Sequence, residues 1–259
     1  MRRFTLAVAL LAACGSGPGE DPAATPAAGA ADTGAAPTAA ATPRQVIVLL
    51  DLSASQTPAM LAESRRFLDG LVERLGFGDR IVLLEVHRAG VREAARRWAD
   101  TFPRLPDPGH ISMRDRTRLE GARDAARSVA RAFFDSASAG KALHTDLFAT
   151  LHIAAEYARD GGGRRTVLVL LSDMLQSDGN IEMERLRRMP PADWITRQRA
   201  AGVLPNLRGA CVVVVGADAT TRAGTAVRDF WVEYFEAAGA RLRRENYRLL
   251  APGAAVGCD

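Results

Sequence analysis

The hydrophobic pattern of this chain predicts strands that alternate with helices. Continuous apolar runs rich in Val, Ile and Leu are typical of strands buried on both faces of a sheet. Apolar residues at every third or fourth position separate these runs and are typical of amphipathic helices. Strands are predicted at residues 46–50, 80–87, 98–105, 166–171, 210–215 and 241–248. Helices are predicted at residues 58–75, 114–134, 145–159, 181–189, 192–201 and 223–238.

This alternation predicts the fold class. Strands separated by helices favour an α/β fold with a doubly wound, mostly parallel central sheet and helices on both faces. The chain has 259 residues, of which 47% are hydrophobic and 25% are charged. That composition and length suit one α/β domain with additional segments, and we assign the domain to residues 44–259.

The first residues have the pattern of an export signal. Arg2 and Arg3 precede a short apolar stretch, which ends in the sequence Leu-Ala-Ala-Cys at Cys14. This ending resembles the bacterial lipobox, which implies that residues 1–13 are a signal peptide and that Cys14 is lipidated. The apolar stretch is too short to span a bilayer by itself. An ordinary secretory signal, with Cys14 incidental, is the alternative.

The segment that follows predicts a tether. Residues 14–43 consist largely of Ala, Pro, Gly and Thr and hold too little apolar surface to offset the entropy of folding. We therefore expect a disordered linker between the membrane anchor and the domain. In an exported protein Cys211 and Cys258 could form a disulfide bond, although two free thiols are equally compatible with the sequence.

The charge pattern argues against a nucleic-acid partner. The chain has 34 basic and 30 acidic residues, for a formal charge of +4. The basic residues, nearly all arginine, are interspersed with acids rather than clustered with aromatic residues. Mixed-charge helix surfaces in contact with solvent explain this pattern.

Short oxygen-bearing side chains follow two of the predicted strands. Asp51, Ser53 and Ser55 come directly after the first strand, and Asp173 follows the fourth. Thr145 opens the predicted helix between them, where we expect it to act as the N-cap. Ligands collect at the carboxyl ends of the strands in open parallel sheets, and such oxygens suit a hard divalent cation. The pattern therefore indicates a Mg²⁺ site, with Mn²⁺ or Ca²⁺ as alternatives.

The order of these motifs resembles the metal-ion-dependent adhesion site of the von Willebrand factor A (vWA) family, over residues 44–250. The resemblance implies that Ser53 and Ser55 bind the metal directly, and Thr145 directly or through water. It implies that Asp51 and Asp173 bind mostly through water. The sixth position would be left to water or to an acidic side chain of a protein partner.

Other interpretations of these residues remain open. The serines could cap the following helix, with Asp173 capping a turn. The metal could be purely structural, or the domain could be a metal-assisted hydrolase with His144 or Asp218 as the base. We favour a non-catalytic domain without a small-molecule substrate, with His144 and Asp218 at most on the rim of the site.

Together these patterns predict a location and a role. The expected protein is a lipoprotein of the cell envelope that is attached to the membrane through Cys14 and binds a protein partner in a metal-dependent way. Gly15 lacks the acidic character that signals retention in the inner membrane of enteric bacteria. An outer-membrane or periplasmic location is therefore favoured if the host has two membranes.

Overall fold

The described part of the chain comes from a computed structural model. Every described residue lies in one compact unit, residues 40–259. The predicted signal peptide, Cys14 and nearly all of the predicted tether lie outside the described residues. The structure describes residues 42–86, 96–136, 145–178, 180–184 and 189–250.

Strands and helices alternate along the described residues, as the sequence predicts. The strands are β1 (Arg44–Leu50), β2 (Arg80–Glu85), β3 (Arg97–Thr101), β4 (Arg165–Leu171), β5 (Cys211–Val215) and β6 (Arg241–Arg248). The helices are α1 (Pro58–Glu73), α2 (Met113–Ser136), α3 (Leu147–Arg159), α4 (Trp194–Ala200) and α5 (Arg222–Ala237). None of the helices in these described ranges is long and apolar enough to cross a membrane.

The six strands form one sheet in the order β3-β2-β1-β4-β5-β6. All neighbours pair in parallel except β2 and β3, because β3 is an antiparallel strand at the edge. In the register of the sheet, Leu50 at the end of β1 lies opposite Leu171 of β4 and Glu85 of β2. The predicted doubly wound, mostly parallel α/β fold is confirmed. The carboxyl ends of β1 and β4 are also neighbours at one edge.

Two hydrophobic layers cover the two faces of the sheet. Ile47 and Leu49 of β1 belong to a core that includes residues of α3 and α5. Val46 and Val48 belong to a second core with residues of α1 and α2. Successive side chains of a strand point to opposite faces, so a central strand needs apolar residues at every position. This requirement explains the continuous apolar runs in the sequence. It also places the polar residues that follow each run at the carboxyl edge of the sheet.

Two of the predicted elements differ from the structure. The helix predicted at residues 181–189 is wrong at residues 181–183, because Glu182 forms an isolated β-bridge with Ser177. The Ser177 hydroxyl also donates to the Glu182 carboxylate at 2.9 Å, which favours the extended arrangement. Residues 185–188 lie outside the described part. The predicted edge strand at residues 98–105 is present as β3 but ends at Thr101, before the prolines.

Candidate metal site

Asp51 lies at the carboxyl end of β1 and is 2% exposed. Its backbone N–H donates to the Leu171 carbonyl at 3.0 Å, which extends the pairing of β1 and β4 by one residue. Its carboxylate accepts hydrogen bonds from the Ser53 backbone N–H at 3.0 Å and the Ser172 hydroxyl at 2.7 Å. Burial raises the pKa of the Asp51 carboxyl group, and the hydrogen bonds from Ser53 and Ser172 oppose this rise.

The two serines of the first loop lie together beside this carboxylate. The hydroxyl oxygens of Ser53 and Ser55 are 3.0 Å apart. Neither serine caps the following helix, because the N-cap of α1 is Thr57, whose hydroxyl accepts from the Met60 N–H at 3.2 Å. The capping interpretation of these two hydroxyls is therefore wrong for α1. Both remain available as oxygen ligands.

Asp173 follows β4, the strand next to β1, and its side chain contacts the loop that carries Asp51, Ser53 and Ser55. A side-chain hydrogen bond joins it to Ser55, and its carboxylate also accepts from the Leu175 N–H at 3.0 Å. Burial and, to a smaller extent, the negative charge of Asp51 raise the pKa of Asp173 to about 7. The structure thus brings two carboxylates close enough to disfavour their joint ionisation.

The loop after β4 is held in an uncommon backbone conformation. Met174 is fully buried and has a positive φ of 64°, which a residue with a side chain rarely adopts. Its N–H donates to the Ser172 hydroxyl at 2.9 Å, and its carbonyl accepts from the Trp231 indole N–H at 2.9 Å. These two bonds fix the chain on both sides of Met174. They therefore fix the direction in which Asp173 leaves the strand.

Thr145 reaches the same edge of the sheet through backbone pairing. It is buried and forms two hydrogen bonds of 2.9 Å with Ser177, each N–H donating to the carbonyl of the other residue. The N-cap of α3 is Asp146, whose side chain accepts from the Ala149 N–H at 3.0 Å. The prediction that Thr145 is the N-cap is therefore wrong by one residue. Its hydroxyl is not committed to capping.

The sequence indicated a turn or part of the rim at residues 176–180, but it did not indicate the contacts that Gln176 makes. It is completely buried, and its side-chain carbonyl accepts from the Leu147 N–H at 2.7 Å. Its amide donates to Asp146 at 3.3 Å and to Asp178 at 3.2 Å. One side chain therefore connects the start of α3 with the loop after β4. A polar residue three positions after Asp173, which follows a predicted strand, is the signal that could have indicated this connecting role.

The donor set fits a hard divalent cation. Its oxygens come from two carboxylates and from hydroxyls, which is the chemistry that Mg²⁺ and Mn²⁺ accept. Within the described ranges, no group of three or more His, Cys, Asp and Glu side chains could hold a metal. A metal here would depend on Ser53, Ser55 and Thr145 as well as on Asp51 and Asp173. A dication would also offset the repulsion between the two carboxylates.

The structure describes one of the two predicted rim residues, Asp218, and one of the three cysteines, Cys211. Asp218 accepts hydrogen bonds from the Thr220 N–H and hydroxyl, both at 2.7 Å, and these bonds lower the pKa of its carboxyl group. A carboxylate stabilised in this way is a weak general base. His144 lies outside the described residues.

Cys211 is disulfide-bonded, whereas Cys14 and Cys258 lie outside the described residues, so the pairing of Cys211 with Cys258 stays a prediction.

The strand order and the polar loops at the carboxyl edge define the class of this protein: it has an open, mostly parallel α/β sheet with its candidate site at the carboxyl ends of β1 and β4. No protein-family model and no curated protein matches the sequence. Among solved structures, a von Willebrand factor type A protein from Catenulispora acidiphila is similar at 13% identity. The match covers 76% of this chain and 43% of that chain, with a TM-score of 0.34.

Two further solved structures match most of this chain. The pilus adhesin SpaC from Lactobacillus rhamnosus GG is 11% identical, over 82% of this chain and 29% of that chain, with a TM-score of 0.44. The manganese-loaded TRAP protein from Plasmodium vivax is 13% identical, over 81% of this chain and 68% of that chain, with a TM-score of 0.33. The chain spans less than half of the first two proteins, and these similarities concern the fold alone.

Proposed function

We propose that this domain binds a protein partner through a divalent metal ion held by Asp51, Ser53, Ser55, Thr145 and Asp173. The observation that carries the proposal is the chain of contacts between the carboxylates. Ser53 lies against Ser55, Ser55 is hydrogen-bonded to Asp173, and the charge of Asp51 raises the pKa of Asp173. A cation would offset the repulsion between the carboxylates of Asp51 and Asp173, and the hydroxyl oxygens would bind it.

The chemistry of the donor set determines what such a site can recognise. Two carboxylates only balance the charge of a divalent cation, so the ion retains affinity for another anionic oxygen. The buried Ser172 hydroxyl holds Asp51, and the backbone N–H of Leu175 holds Asp173. The protein therefore orients its own ligands and leaves the remaining coordination position for an acidic side chain of the partner.

The site supports binding better than catalysis. Metal-assisted hydrolysis needs a general base or a second metal beside the first. Asp218, the described candidate for that base, is stabilised as a carboxylate by Thr220. A non-catalytic, metal-dependent interaction domain is therefore the function that we propose.

We also propose that the domain is exported and attached to the membrane of the cell envelope through a lipid on Cys14. The support is the short apolar stretch that ends in Leu-Ala-Ala-Cys and the Ala-, Pro- and Gly-rich segment after it. Mass spectrometry of the protein isolated from membranes tests this part. A mature N-terminus at Cys14 with acyl chains is expected, and cleavage elsewhere with an unmodified thiol would contradict it.

Thermal unfolding with Mg²⁺, Mn²⁺ or chelator tests the metal site. Binding to the native state alone raises stability by about 2.7 kcal/mol at a metal concentration one hundred times the dissociation constant. We expect Asp51→Asn and Asp173→Asn to abolish the metal-dependent rise. Asp218→Asn, a neighbouring aspartate outside the proposed ligand set, should retain it. A folded wild-type protein with no response to metal would contradict the proposal.

A second measurement separates a binding site from a purely structural metal. In the Mn²⁺-loaded protein, water at an open coordination position enhances the relaxation of bulk water protons. Acetate, as a probe of the partner's carboxylate, should displace that water and reduce the enhancement, whereas neutral acetamide should not. A low enhancement before either probe is added would indicate a closed, structural metal, and an enhancement that acetate leaves unchanged would show that the open position does not bind a carboxylate.

A further inference from the structure

Arginines begin three neighbouring strands at the edge of the sheet opposite the metal site. Arg80, Arg44 and Arg165 are the first residues of β2, β1 and β4. In the register of the sheet, Arg44 lies opposite Arg165. Because these strands are parallel, their first residues share one edge. At about 3.3 Å per residue, this edge lies roughly 23 Å from Asp51.

Two clefts open at this edge and share Phe77, Gly163 and Arg164 in their walls. Their volumes are about 750 and 340 Å³. Arginines dominate the charged residues that line them, and three of these side chains are exposed, those of Arg74, Arg104 and Arg165. The arginines of the two walls are Arg44, Arg74, Arg104, Arg164 and Arg165, which we call the basic edge.

The acid in these walls is already engaged with its neighbours. Among the described residues that line the clefts, Asp79 alone is acidic. It is buried and accepts from the Arg44 backbone N–H at 2.6 Å, from the Arg44 guanidinium at 3.3 Å and from the Gly76 N–H at 2.9 Å. Asp79 therefore balances Arg44, and Arg74, Arg104 and Arg164 add positive charge to the described walls of the clefts.

Backbone contacts hold part of this charge in place. The Arg164 guanidinium donates to the Gly78 carbonyl at 2.9 Å and to the Gly161 carbonyl at 3.1 Å. Carbonyl oxygens orient a guanidinium without neutralising it. The planar group is therefore fixed in the walls of both clefts, where its charge can meet an anion.

The same edge is where the chain enters the domain. Thr42 lines the larger cleft and Pro43 lines the smaller one. The Pro43 carbonyl accepts from the Arg165 N–H at 3.3 Å, which fixes the entering segment against the basic edge. A tether that begins at a lipidated Cys14 would therefore join the domain on its positively charged side.

We propose that the basic edge binds phosphate-bearing headgroups of anionic lipids in the membrane that carries the anchor. This inference rests on the proposed attachment at Cys14. Guanidinium groups pair with phosphate oxygens through two parallel hydrogen bonds, and several such contacts add up at an anionic surface. The consequence is an oriented domain. The metal site at the opposite edge faces away from the membrane, toward a partner.

Binding to lipid vesicles tests this inference without the anchor. The chain from residue 15 retains the whole compact unit of residues 40–259 and carries no lipid. We expect it to cosediment with vesicles of phosphatidylglycerol and phosphatidylcholine, but not with phosphatidylcholine alone. The triple variant Arg74→Gln, Arg104→Gln, Arg165→Gln should weaken that binding on the order of a hundredfold, at about fivefold per arginine near an anionic surface.

A matched variant controls for net charge. Arg66→Gln, Arg131→Gln and Arg222→Gln remove three exposed arginines from helices away from the basic edge. This variant should bind the vesicles within about threefold of the wild type. Equal losses in the two triple variants would show that overall charge, not the basic edge, drives the binding and would overturn the inference.

The remaining outcomes separate lipid binding from the binding of a small free anion and from an effect of the metal. Displacement from the vesicles by millimolar inorganic phosphate at constant ionic strength would indicate a site for a small free anion and would contradict the proposal. All arms contain chelator, so a failure of the metal site does not change the result. A chain that responds to Mg²⁺ in thermal unfolding but ignores anionic vesicles would overturn this inference alone.

Discussion

The Ser172 hydroxyl donates a 2.7 Å hydrogen bond to the Asp51 carboxylate and so joins the loops after β4 and β1. The same oxygen accepts the Met174 N–H at 2.9 Å. Ser172 is completely buried, so neither partner has water as a ready substitute. One hydroxyl therefore determines both the position of a proposed metal ligand and the course of the chain through Asp173.

Replacing Ser172 by alanine should destabilise the protein and weaken metal binding. The change leaves the buried Met174 N–H and one oxygen of Asp51 without this partner, at a cost of about 1 to 3 kcal/mol. Urea unfolding measures the stability, and a Mg²⁺ titration followed by thermal unfolding measures the affinity. Ser136→Ala, which removes a hydroxyl that donates to Phe133 at the end of α2, should leave metal affinity unchanged. Wild-type affinity in Ser172→Ala would contradict the positioning role.

The stability of the metal-free protein should fall as pH rises from about 4 to about 7. The folded state retains the proton of Asp173 up to a pKa of about 7, whereas the unfolded state releases it near 3.8. The stabilising contribution is fully present below the lower value and is lost as pH rises through the higher one. The difference corresponds to about 4 kcal/mol, and burial of Asp51 acts in the same direction.

Urea unfolding in chelator at several pH values measures this slope. Asp173→Asn should flatten it, and saturating Mg²⁺ should do the same in the wild type because a cation stabilises the ionised pair. A slope that Asp173→Asn leaves intact would show that other groups titrate in this range.

Gln176 should matter for metal binding beyond its contribution to stability. Gln176→Leu leaves the Leu147 N–H without the side-chain carbonyl that it contacts at 2.7 Å and releases the loop after β4 from α3. We expect a loss of about 1 to 3 kcal/mol in unfolding free energy together with weaker Mg²⁺ binding. The loop carries Ser177, which pairs with Thr145, so the loss should extend to that proposed ligand.

The chain offers a matched control in its other completely buried glutamine. Gln45 lies at the opposite edge of the sheet, where its amide donates to the Tyr157 carbonyl at 2.7 Å. Gln45→Leu should cost similar stability but retain the affinity for Mg²⁺. Equal losses of affinity in both variants would mean that Gln176 acts through general stability only.

Gly216 should tolerate no side chain. Its φ is 105°, and a Cβ there would lie 3.2 Å from the Ser172 carbonyl oxygen. Gly216→Ala should therefore cost roughly 1 to 3 kcal/mol and disturb the proposed metal site through Ser172. Gly121 lies in α2 with open space around it, and Gly121→Ala should add about 0.5 to 1 kcal/mol instead. Thermal unfolding distinguishes the two signs, and a neutral Gly216→Ala would contradict the close approach.

The local pattern of the chain was enough to predict the strands of the sheet. Strands such as β1 and β4 are buried on both faces, so every position must be apolar and the run is visible without any partner. The switch from Leu50 to Asp51 is equally local, and it indicated the edge where polar ligands gather. The local pattern around Glu182 predicted a helix. The stretch is extended instead, because its pairing with Ser177 overrides that pattern.

The sequence by itself determined the α/β fold class and the candidate ligands, because each strand, helix and candidate ligand was predicted from a short local stretch of the chain. Only the tertiary structure decided how those ligands are held. The Ser172 hydroxyl on Asp51, the amide of Gln176 and the basic edge all join residues that are far apart in sequence. Such contacts depend on the register of the sheet and the packing of the helices, which no short stretch of sequence contains.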